Sequence, residues 1–306
     1  MAGEPGPRYS RPVPPDEARP AVILVGTPIG NLGDLSPRAV EALATADVIA
    51  AEDTRRTRPL LTAVGVPTRG RLVSFHGPHE AELAGRLVER IVERKERLVC
   101  VTDAGMPGIS DPGERLVVAA LAAGVAVEVV PGPSAALSAL VLSGLPTGRF
   151  VFEGFLPRKG RQRAARLEAL RGEDRTVVLF EAPHRLLGTL ADLAGAFGGD
   201  RPVAVARELT KVFETVWRGT LGEAVAAADA GGDGPEPRGE QVIVVGPAPP
   251  IPDDGPADDA VAAALQAELA GGSSTRDAAA AVAGRLGVSR RRAYTLATSL
   301  RRAARS

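Results

Sequence analysis

The chain has 306 residues, 44% of them hydrophobic and only 3% aromatic, and its formal net charge at pH 7 is +0. The length indicates two domains and leaves room for a small appendage, and the neutral balance restricts any nucleic-acid surface to a local patch. The single cysteine, Cys100, excludes a disulfide framework and disfavours a thiolate metal cluster. No apolar run reaches about 18 residues, so the sequence predicts no membrane span.

The N-terminal segment is rich in proline and charge. It lacks the apolar core of a signal peptide. The sequence therefore predicts a disordered extension over residues 1–20 and a cytoplasmic protein.

Short β-branched runs alternate with helical patterns over residues 21–133. The predicted strands read AVILVG, DVIAAED, RLVSF, RLVCVTD and VAVEVVPG, and the predicted helices read PRAVEALATA, RPLLTAVG, EAELAGRLVERIVERK and ERLVVAALAAG. In LAGRLVERIVERK the apolar residues are spaced close to i, i+3, i+4, i+7, as on one face of a helix. This alternation predicts an N-terminal α/β domain whose parallel sheet is covered by helices.

Residues 134–248 predict a second α/β domain, which starts with the helical stretch SAALSALVLSG. The strand-like runs that follow are RFVFEGF, TVVLFEA, PVAVARE, KVFETVWRG and EQVIVVG. Several have little sequence between them, so we expect a mixed sheet with antiparallel pairs. A proline- and aspartate-rich linker, residues 249–258, then leads to a basic all-helical appendage, residues 259–306.

Each predicted strand of the first domain is followed by an unusual loop. These loops read GTPIGNLGD, AEDTR, SFHGPHE, TDAGMPGISDPG and PGPSAA. In open parallel sheets, ligands bind at the carboxyl ends of the strands. Glycine and proline also occur in ordinary turns, but five such loops on one edge favour a binding site.

The type of ligand follows from what these loops lack. The chain has neither the G-x4-G-K-[ST] loop of nucleoside triphosphatases nor the G-x-G-x-x-G dinucleotide fingerprint. Phosphate sites use successive backbone N–H donors, and prolines remove donors from several of these loops. A nucleoside-like ligand without phosphates, such as S-adenosylmethionine, fits better and needs no metal.

Seven motifs carry a resemblance to a known family. In chain order they are TPIGNLGD, AEDTR, DAGMPGISDPG, PGPSA, EGFLPRKG, EAPHR and ARELTK. Together they closely resemble the bacterial small-subunit rRNA ribose 2′-O-methyltransferases of the tetrapyrrole (corrin/porphyrin) methylase superfamily, from about residue 21 to residue 246. The resemblance implies a tetrapyrrole-methylase-like fold, S-adenosylmethionine as methyl donor, and a cleft between two α/β domains. It also implies a homodimer and a cytidine ribose in the decoding region of 16S rRNA, within the small ribosomal subunit, as the target.

The resemblance also implies which residues contact the cofactor. By motif position these are Pro28, Ile29, Gly30, Asp103, Ala104, Gly105, Met106, Pro107, Pro131, Gly132, Ser134, Ala135, Phe180 and Glu181. The sequence departs from other members at Ser134, where a cysteine is common, and either small side chain should fit.

Removing the proton of a ribose hydroxyl requires a base or an electrostatic partner. The sequence does not identify which residue plays this role. The candidates are Glu181, Glu208 and Lys211, with Asp53 and Arg55 from the first domain. Each has a structural alternative: pairing with surface charges for Glu208 and Lys211, and the start of a helix for Asp53. The histidines His76 and His79 lack a third ligand, so no metal site is expected.

Two basic stretches indicate an RNA substrate. FLPRKGRQRAAR contains Arg158, Lys159, Arg161 and Arg163 beside the expected cleft, where they could contact phosphates together with Arg55. The C-terminal stretch has seven arginines and no acidic residue from residue 285 onward, among them Arg290, Arg291 and Arg292. It resembles a helix-turn-helix with a turn at Gly287.

Two other functions remain open from the sequence. A small-molecule methyltransferase of the same superfamily would act on a tetrapyrrole and would not need the basic appendage. A catalytically silent RNA-binding protein would bind RNA without binding S-adenosylmethionine.

Overall fold

The computed structural model describes residues 20–68, 70–77, 80–230, 234–249 and 257–303. The predicted extension, apart from Pro20, lies outside these residues, as do residues 250–256 of the predicted linker. The chain divides into two compact units, Met1–Pro247 and Ala248–Ser306. None of the helices within the described ranges combines the length and apolarity needed to cross a membrane.

The first sheet has five strands, all parallel, in the order β3-β2-β4-β1-β5. Its strands are β1 Ala21–Val25, β2 Val48–Ala51, β3 Leu72–Ser74, β4 Arg97–Val101 and β5 Ala126–Val130. Its helices are α1 Pro37–Thr45, α2 Thr54–Ala63, α3 Glu80–Arg94 and α4 Glu114–Ala122. This confirms the predicted parallel sheet, and it brings the five loops that follow the strands to one edge.

Helices cover both faces of the first sheet because its strands are apolar on both sides. On one face, α1 and α2 pack through Leu43 and Leu61 against residues such as Ile23. On the other, α3 and α4 cover a cluster that contains Cys100. Burial raises the pKa of the Cys100 thiol to about 12, so it is a packing residue.

The second sheet is mixed, as predicted, in the order β6-β7-β10-β8-β9. Only β6 and β7 pair in parallel, and the other three pairs are antiparallel. The strands are β6 Phe150–Phe155, β7 Thr176–Glu181, β8 Pro202–Arg207, β9 Thr215–Thr220 and β10 Gln241–Val245. The helices are α5 Ala135–Ser143, α6 Gly160–Leu170, α7 Leu186–Phe197 and α8 Leu221–Ala230. The predicted strand KVFETVWRG begins later than expected, at Thr215, because the residues before it form a loop.

One apolar cluster joins the two α/β domains. The helix α5 directly follows the loop after β5, yet Ala136 and Leu140 of this helix pack on the second sheet. Ile29, from the loop after β1, lies in the same cluster as Leu209 and Val242. The loop of the first domain is therefore part of the core of the second.

The C-terminal unit is a three-helix unit of its own. It consists of α9 Asp258–Ala270, α10 Thr275–Leu286 and α11 Arg290–Ala303 around a small apolar core. The predicted turn is present, since Gly287 has φ of +65° and Ser289 accepts a hydrogen bond from the backbone N–H of Arg292 at 3.2 Å. The predicted all-helical segment is confirmed, and α9 adds a helix ahead of the predicted pair.

The backbones of Gly26 and Gly132 touch where β1 and β5 end. A Cβ on Gly132 would lie 2.8 Å from the Cα, carbonyl carbon and oxygen of Gly26. We expect Gly132→Ala to lower the free energy of unfolding by about 1–3 kcal/mol, because the backbones must separate. Urea denaturation measures this.

The control is Gly195→Ala in α7, where a Cβ meets nothing within 4 Å. It should raise stability by about 0.5–1 kcal/mol, because alanine is the better helix former. Equal effects at the two positions would contradict the steric interpretation.

Candidate functional site

Two adjoining cavities lie at the edge where the five parallel strands end. The larger, of about 360 Å³, is lined by both domains, and the smaller has about 310 Å³. They share Ile29, Arg56, Asp103, Ala104 and Glu240. They therefore form one cleft with two compartments.

Most residues predicted to contact the cofactor line this cleft. Ile29, Asp103, Ala104, Gly105, Met106, Ser134, Ala135, Phe180 and Glu181 line the larger compartment, and Pro28, Ile29, Gly30, Asp103 and Ala104 line the smaller. Three predicted residues line neither. Gly132 lies against Gly26, Pro107 lies against Gly113, and Pro131 is exposed, so these three shape the loops from outside the cavities.

The loops after β1 and β4 are held together by their own backbones. Thr27 and Gly105 exchange two backbone hydrogen bonds, of 2.9 and 3.2 Å, and the Thr27 hydroxyl donates to the carbonyl of Thr102 at 3.1 Å. Gly105 has φ of +80°, a conformation that favours glycine. The backbone donors of Thr27 and Gly105 are therefore used between the loops, which agrees with a ligand that needs no phosphate site.

The loop after β1 also packs closely against the second domain. A Cβ on Gly30 would lie 2.4 Å from Cγ of Lys211 and 2.8 Å from the carbonyl oxygen of Leu209. On the same segment, Glu208 and Thr210 have positive φ angles of 52° and 65°. The ARELTK segment thus closes one side of the cleft through a close backbone contact.

Carboxylates surround the cleft. Asp103 accepts hydrogen bonds from the backbone N–H of Asp53 at 3.2 Å and from Arg56 at 3.3 Å. Glu52 accepts the backbone N–H of Asp103 at 3.1 Å, and Glu240 pairs with Lys211 at 3.1 Å. Asp111 lines the larger compartment as well. The site therefore favours a cationic ligand.

Glu181 lines the larger compartment, and its carboxylate is held by neighbouring groups. The side chain is buried, and it accepts hydrogen bonds from the backbone N–H of Ala182 at 2.8 Å and from the Thr189 hydroxyl. Arg185 forms an ion pair with it at 3.3 Å. Both carboxylate oxygens therefore already accept bonds from the protein, which hold the side chain in place.

Glu208 and Lys211 form an ion pair of 2.8 Å, and Glu208 also accepts the backbone N–H of Glu240 at 2.9 Å. Hydrogen bonds from Lys211 and Glu240 lower the pKa of Glu208. Burial opposes the charge of Lys211, but its hydrogen bonds to Glu208 and Glu240 prevail and raise its pKa. A carboxylate with a lowered pKa and an ammonium with a raised pKa both make poorer general bases than unperturbed groups, so this geometry favours a structural ion pair at these two positions.

Asp53 and Arg55 lie outside both cavities. Asp53 caps the N-terminus of α2, as the structural alternative expected, and accepts the backbone N–H of Arg55 at 2.8 Å. Hydrogen bonds from the side chain and backbone of Arg55 lower the pKa of Asp53 to about 2. The Arg55 side chain is 89% exposed.

The basic stretch near α6 separates into exposed and buried residues. Arg158, Lys159 and Arg161 are exposed. Arg163 is buried, and its guanidinium contacts Asp192 at 2.7 Å, the hydroxyl of Thr189 at 2.8 Å and a backbone carbonyl. The prediction that Arg163 binds RNA is therefore wrong, because all of its polar contacts point inward.

A similar correction applies in the C-terminal unit. Arg290 is exposed, and Arg291 lies in α11 with its side chain outside the described part of the chain. Arg292 is largely buried and pairs with Asp258 at 2.7 Å, which joins α11 to α9. Arg292 is thus a packing residue.

The described residues contain no group of three or more His, Cys, Asp or Glu side chains that could hold a metal ion. Of the two histidines considered for such a site, His79 lies outside those residues.

Residues 21–225 match the family of Tetrapyrrole (Corrin/Porphyrin) Methylases. The chain belongs to this family. The ribosomal RNA small subunit methyltransferase I of Xylella fastidiosa (strain Temecula1) is 51% identical over 222 residues, which are 72% of this chain and 80% of that relative. The protein of the same name from Mesorhizobium japonicum is 44% identical over 271 residues, 87% of this chain and 89% of its own length.

A solved structure agrees with the fold of this tetrapyrrole methylase. The uroporphyrin-III-C-methyltransferase of Thermus thermophilus is 25% identical and matches with a TM-score of 0.52, over 74% of this chain and 94% of that chain. The cobalt precorrin-4 methyltransferase CbiF matches with a TM-score of 0.53 at 21% identity, over 77% and 98% of the two chains. The latter likeness concerns the fold alone.

Five polar residues that line the larger compartment of the methylase cleft were not predicted from the sequence: Glu52, Arg56, Asp111, Glu240 and Gln241. Asp111 could have been predicted from the sequence, because it belongs to the same DAGMPGISDPG motif as Asp103. Arg56 follows AEDTR directly. Glu240 and Gln241 come from the start of β10 and carry no motif that marks them.

The different environments of Arg161 and Arg163 allow a matched test in this methylase. We expect Arg163→Met to lower the free energy of unfolding by about 1–3 kcal/mol, because buried polar partners lose their donor. Arg161→Met should change it by less than about 0.5 kcal/mol, since the side chain is exposed. Denaturant titration of both variants measures the difference, and equal stabilities would contradict the buried network.

Proposed function

We propose that this chain is an S-adenosylmethionine-dependent methyltransferase that methylates the 2′-oxygen of a cytidine ribose in 16S rRNA of the small ribosomal subunit. Family membership and the rRNA methyltransferase relatives support methylation of small-subunit rRNA. The nucleotide and the atom come from the sequence resemblance. The observation that carries the proposal is an acidic, largely apolar cleft that opens beside an exposed basic segment. Because the proposed substrate is ribosomal RNA, we place the reaction in the cytoplasm.

The larger compartment fits S-adenosylmethionine. Its volume of about 360 Å³ lies in the range of small-molecule sites, and Ile29, Ala135 and Val242 give it apolar surfaces. Within the described residues, the side-chain oxygen of Gln241 is buried without a hydrogen-bond partner, and Gln241 lines this compartment. A buried acceptor of this kind calls for a donor, which the amino group of an adenine supplies.

The charge of the cleft suits the sulfonium. Glu52, Asp103 and Glu240 line the compartment, and each carboxylate has a hydrogen-bond or ion-pair partner. When bound, S-adenosylmethionine supplies a methyl group already activated by the positive sulfur. The chain has to hold it, to align the ribose oxygen with the methyl carbon, and to accept the hydroxyl proton.

The basic segment gives the cleft a route for RNA. Phe155 lines the larger compartment and is 53% exposed, and Arg158, Lys159 and Arg161 follow it within six residues. We propose that these three, with Arg55, contact phosphates, and that Phe155 lies beside the target base, because aromatic faces stack on unpaired bases. In the C-terminal unit we propose the same role for Arg290 and Arg291. A small tetrapyrrole would use neither basic surface.

We also propose a homodimer. Leu137 and Val141 on the outer face of α5 are 50% and 73% exposed, and Val212 and Phe213 of the nearby loop are 92% and 70% exposed. Leu137 and Val141 share a surface depression with Leu209 of that loop. An apolar surface of this kind is typical of an interface between proteins.

We expect Val141→Asp to shift the chain toward the monomer, because a charge cannot be buried there without a partner. Sedimentation velocity measures the shift. The control is Val118→Asp, on α4, where the wild-type side chain is 58% exposed. If both variants sediment like the wild type, α5 is not the interface.

The proposed function is tested with labelled S-adenosylmethionine and purified small subunits that lack the modification. We expect label at one cytidine of the 16S rRNA, on the 2′-oxygen, as mapped by nuclease digestion and mass spectrometry. Label on a tetrapyrrole alone, or S-adenosylmethionine binding without transfer to RNA, would refute the proposal.

A second arm uses the chain that ends at Pro247, the boundary between the two compact units. It should bind S-adenosylmethionine with unchanged affinity and modify RNA less efficiently, with a smaller dependence of RNA binding on salt because phosphate contacts are lost. Full activity of the shortened chain would remove the C-terminal unit from RNA recognition.

A further inference from the structure

Five carboxyl groups line the larger compartment, and four of them have partners. Glu52, Asp103, Glu181 and Glu240 all accept hydrogen bonds or form ion pairs, as described above. Asp111 is the exception: within the ranges that the structure describes, its carboxylate has no hydrogen-bond or ion-pair partner. Its oxygens are therefore available to a substrate.

The loop that carries Asp111 holds this residue in a fixed position. Asp111 lies in a tight loop after β4, in which Gly108 and Ser110 have φ angles of +83° and +65°. The backbone N–H of Gly108 donates to the carbonyl of Pro112 at 3.0 Å, and the backbone N–H of Gly113 donates to Glu80 at 3.0 Å. These contacts hold Asp111 in a defined place.

That place is the side of the cleft where we propose that RNA enters. The loop that carries Asp111 packs against β6 at Gly154. If Gly154 had a Cβ, this atom would lie 2.9 Å from Oγ of Ser110. Phe155 is the next residue, and the exposed basic segment begins three residues later. Asp111 therefore faces the compartment from the RNA side, next to the exposed side chain of Ile109.

The surroundings of Asp111 raise the pKa of its carboxyl group. The pKa of Asp111 is raised to about 6, mainly because the carboxyl group is partly buried. Three nearby negative charges raise it further: Glu52 after β2, Asp103 after β4 and Glu240 before β10. The cation Arg56 of α2 also lines the compartment, but it pairs with Asp103. At pH 7 Asp111 is thus ionised, and it holds a proton more firmly than an ordinary aspartate does.

We propose that Asp111 is the general base that takes the proton of the ribose 2′-hydroxyl, an inference that rests on the proposed function. The 2′-oxygen forms a bond to the methyl carbon while the bond between that carbon and the sulfur breaks, and the electron pair of the broken bond stays on sulfur. The proton passes from the 2′-oxygen to a carboxylate oxygen of Asp111. Thioether, methyl ether and carboxylic acid are all neutral, so atoms and charge balance.

The central variant is Asp111→Asn in the full-length chain, which keeps the shape of the side chain. We expect kcat on small subunits to fall about 10²- to 10⁴-fold, the usual contribution of a general base. The affinity for S-adenosylmethionine in calorimetry should change by less than about threefold, because the other carboxylates remain. Glu114→Gln, an exposed carboxyl just beyond the loop, should behave as the wild type.

The pH dependence separates a base from a structural residue. Wild-type kcat should rise as the pH passes about 6, the pKa of Asp111, and this rise should vanish in Asp111→Asn. Glu52→Gln removes one of the charges that raise this pKa, so it should move the midpoint to lower pH. A rise that persists unchanged in Asp111→Asn would overturn the proposal.

A measurement that does not depend on enzymatic activity is a carbon-13 NMR titration of the aspartate carboxyl groups in the chain without ligand. One signal should titrate near pH 6, and it should be absent in Asp111→Asn. Failure of the proposed function looks different, because the wild type itself would then transfer no label to RNA. If the wild type methylates the 2′-oxygen and Asp111→Asn loses less than about tenfold in kcat, only the assignment of Asp111 is wrong.

Discussion

The close approach of Gly26 and Gly132 is the constraint on which the rest of the site depends. Both glycines follow strands of the parallel sheet, and neither tolerates a Cβ without moving the other backbone. The contact sets the loop after β1 beside the start of α5, and the paired backbones of Thr27 and Gly105 add the loop after β4. Three loops are thus fixed by main-chain contacts, which cost little conformational entropy once the sheet has formed.

The second domain completes the cleft by an equally close contact at Gly30. There the loop after β1 meets the ARELTK segment, whose two left-handed non-glycine residues, Glu208 and Thr210, keep the chain close to it. The ion pairs of Lys211 with Glu208 and Glu240 hold this segment to the start of β10. The two domains are therefore closely packed at this junction, with Ile29 in the core of the second.

The sequence alone allowed the architecture and most of the cavity lining to be predicted. The alternation of strands and helices gives the parallel sheet, and the parallel sheet places all its loops on one edge. The individual lining residues Asp103, Ser134 and Phe180 came instead from the motif resemblance, and Phe180 lies on the second sheet. Side-chain roles were harder to predict. In the sequence, Arg163 and Glu181 resemble charged residues of a functional site. In the structure, both are hydrogen-bonded to the buried hydroxyl of Thr189. Composition does not reveal which face of a helix is buried. The unpartnered state of Asp111 depends on packing between residues far apart in the chain, so no local pattern reveals it.

The apolar surfaces of the larger compartment have a consequence for the rate. In the proposed reaction a cation and an anion disappear together, and only neutral groups remain. Water stabilises the separated charges more than it stabilises a transition state in which they are already fading, so a wet site would slow the step. Met106, Ile109 and Phe180 line the compartment with groups that cannot solvate charge, and opposite charges attract more strongly where the dielectric constant is low. Between the fixed carboxylates, these apolar side chains therefore exclude water, which suits a reaction that consumes charge.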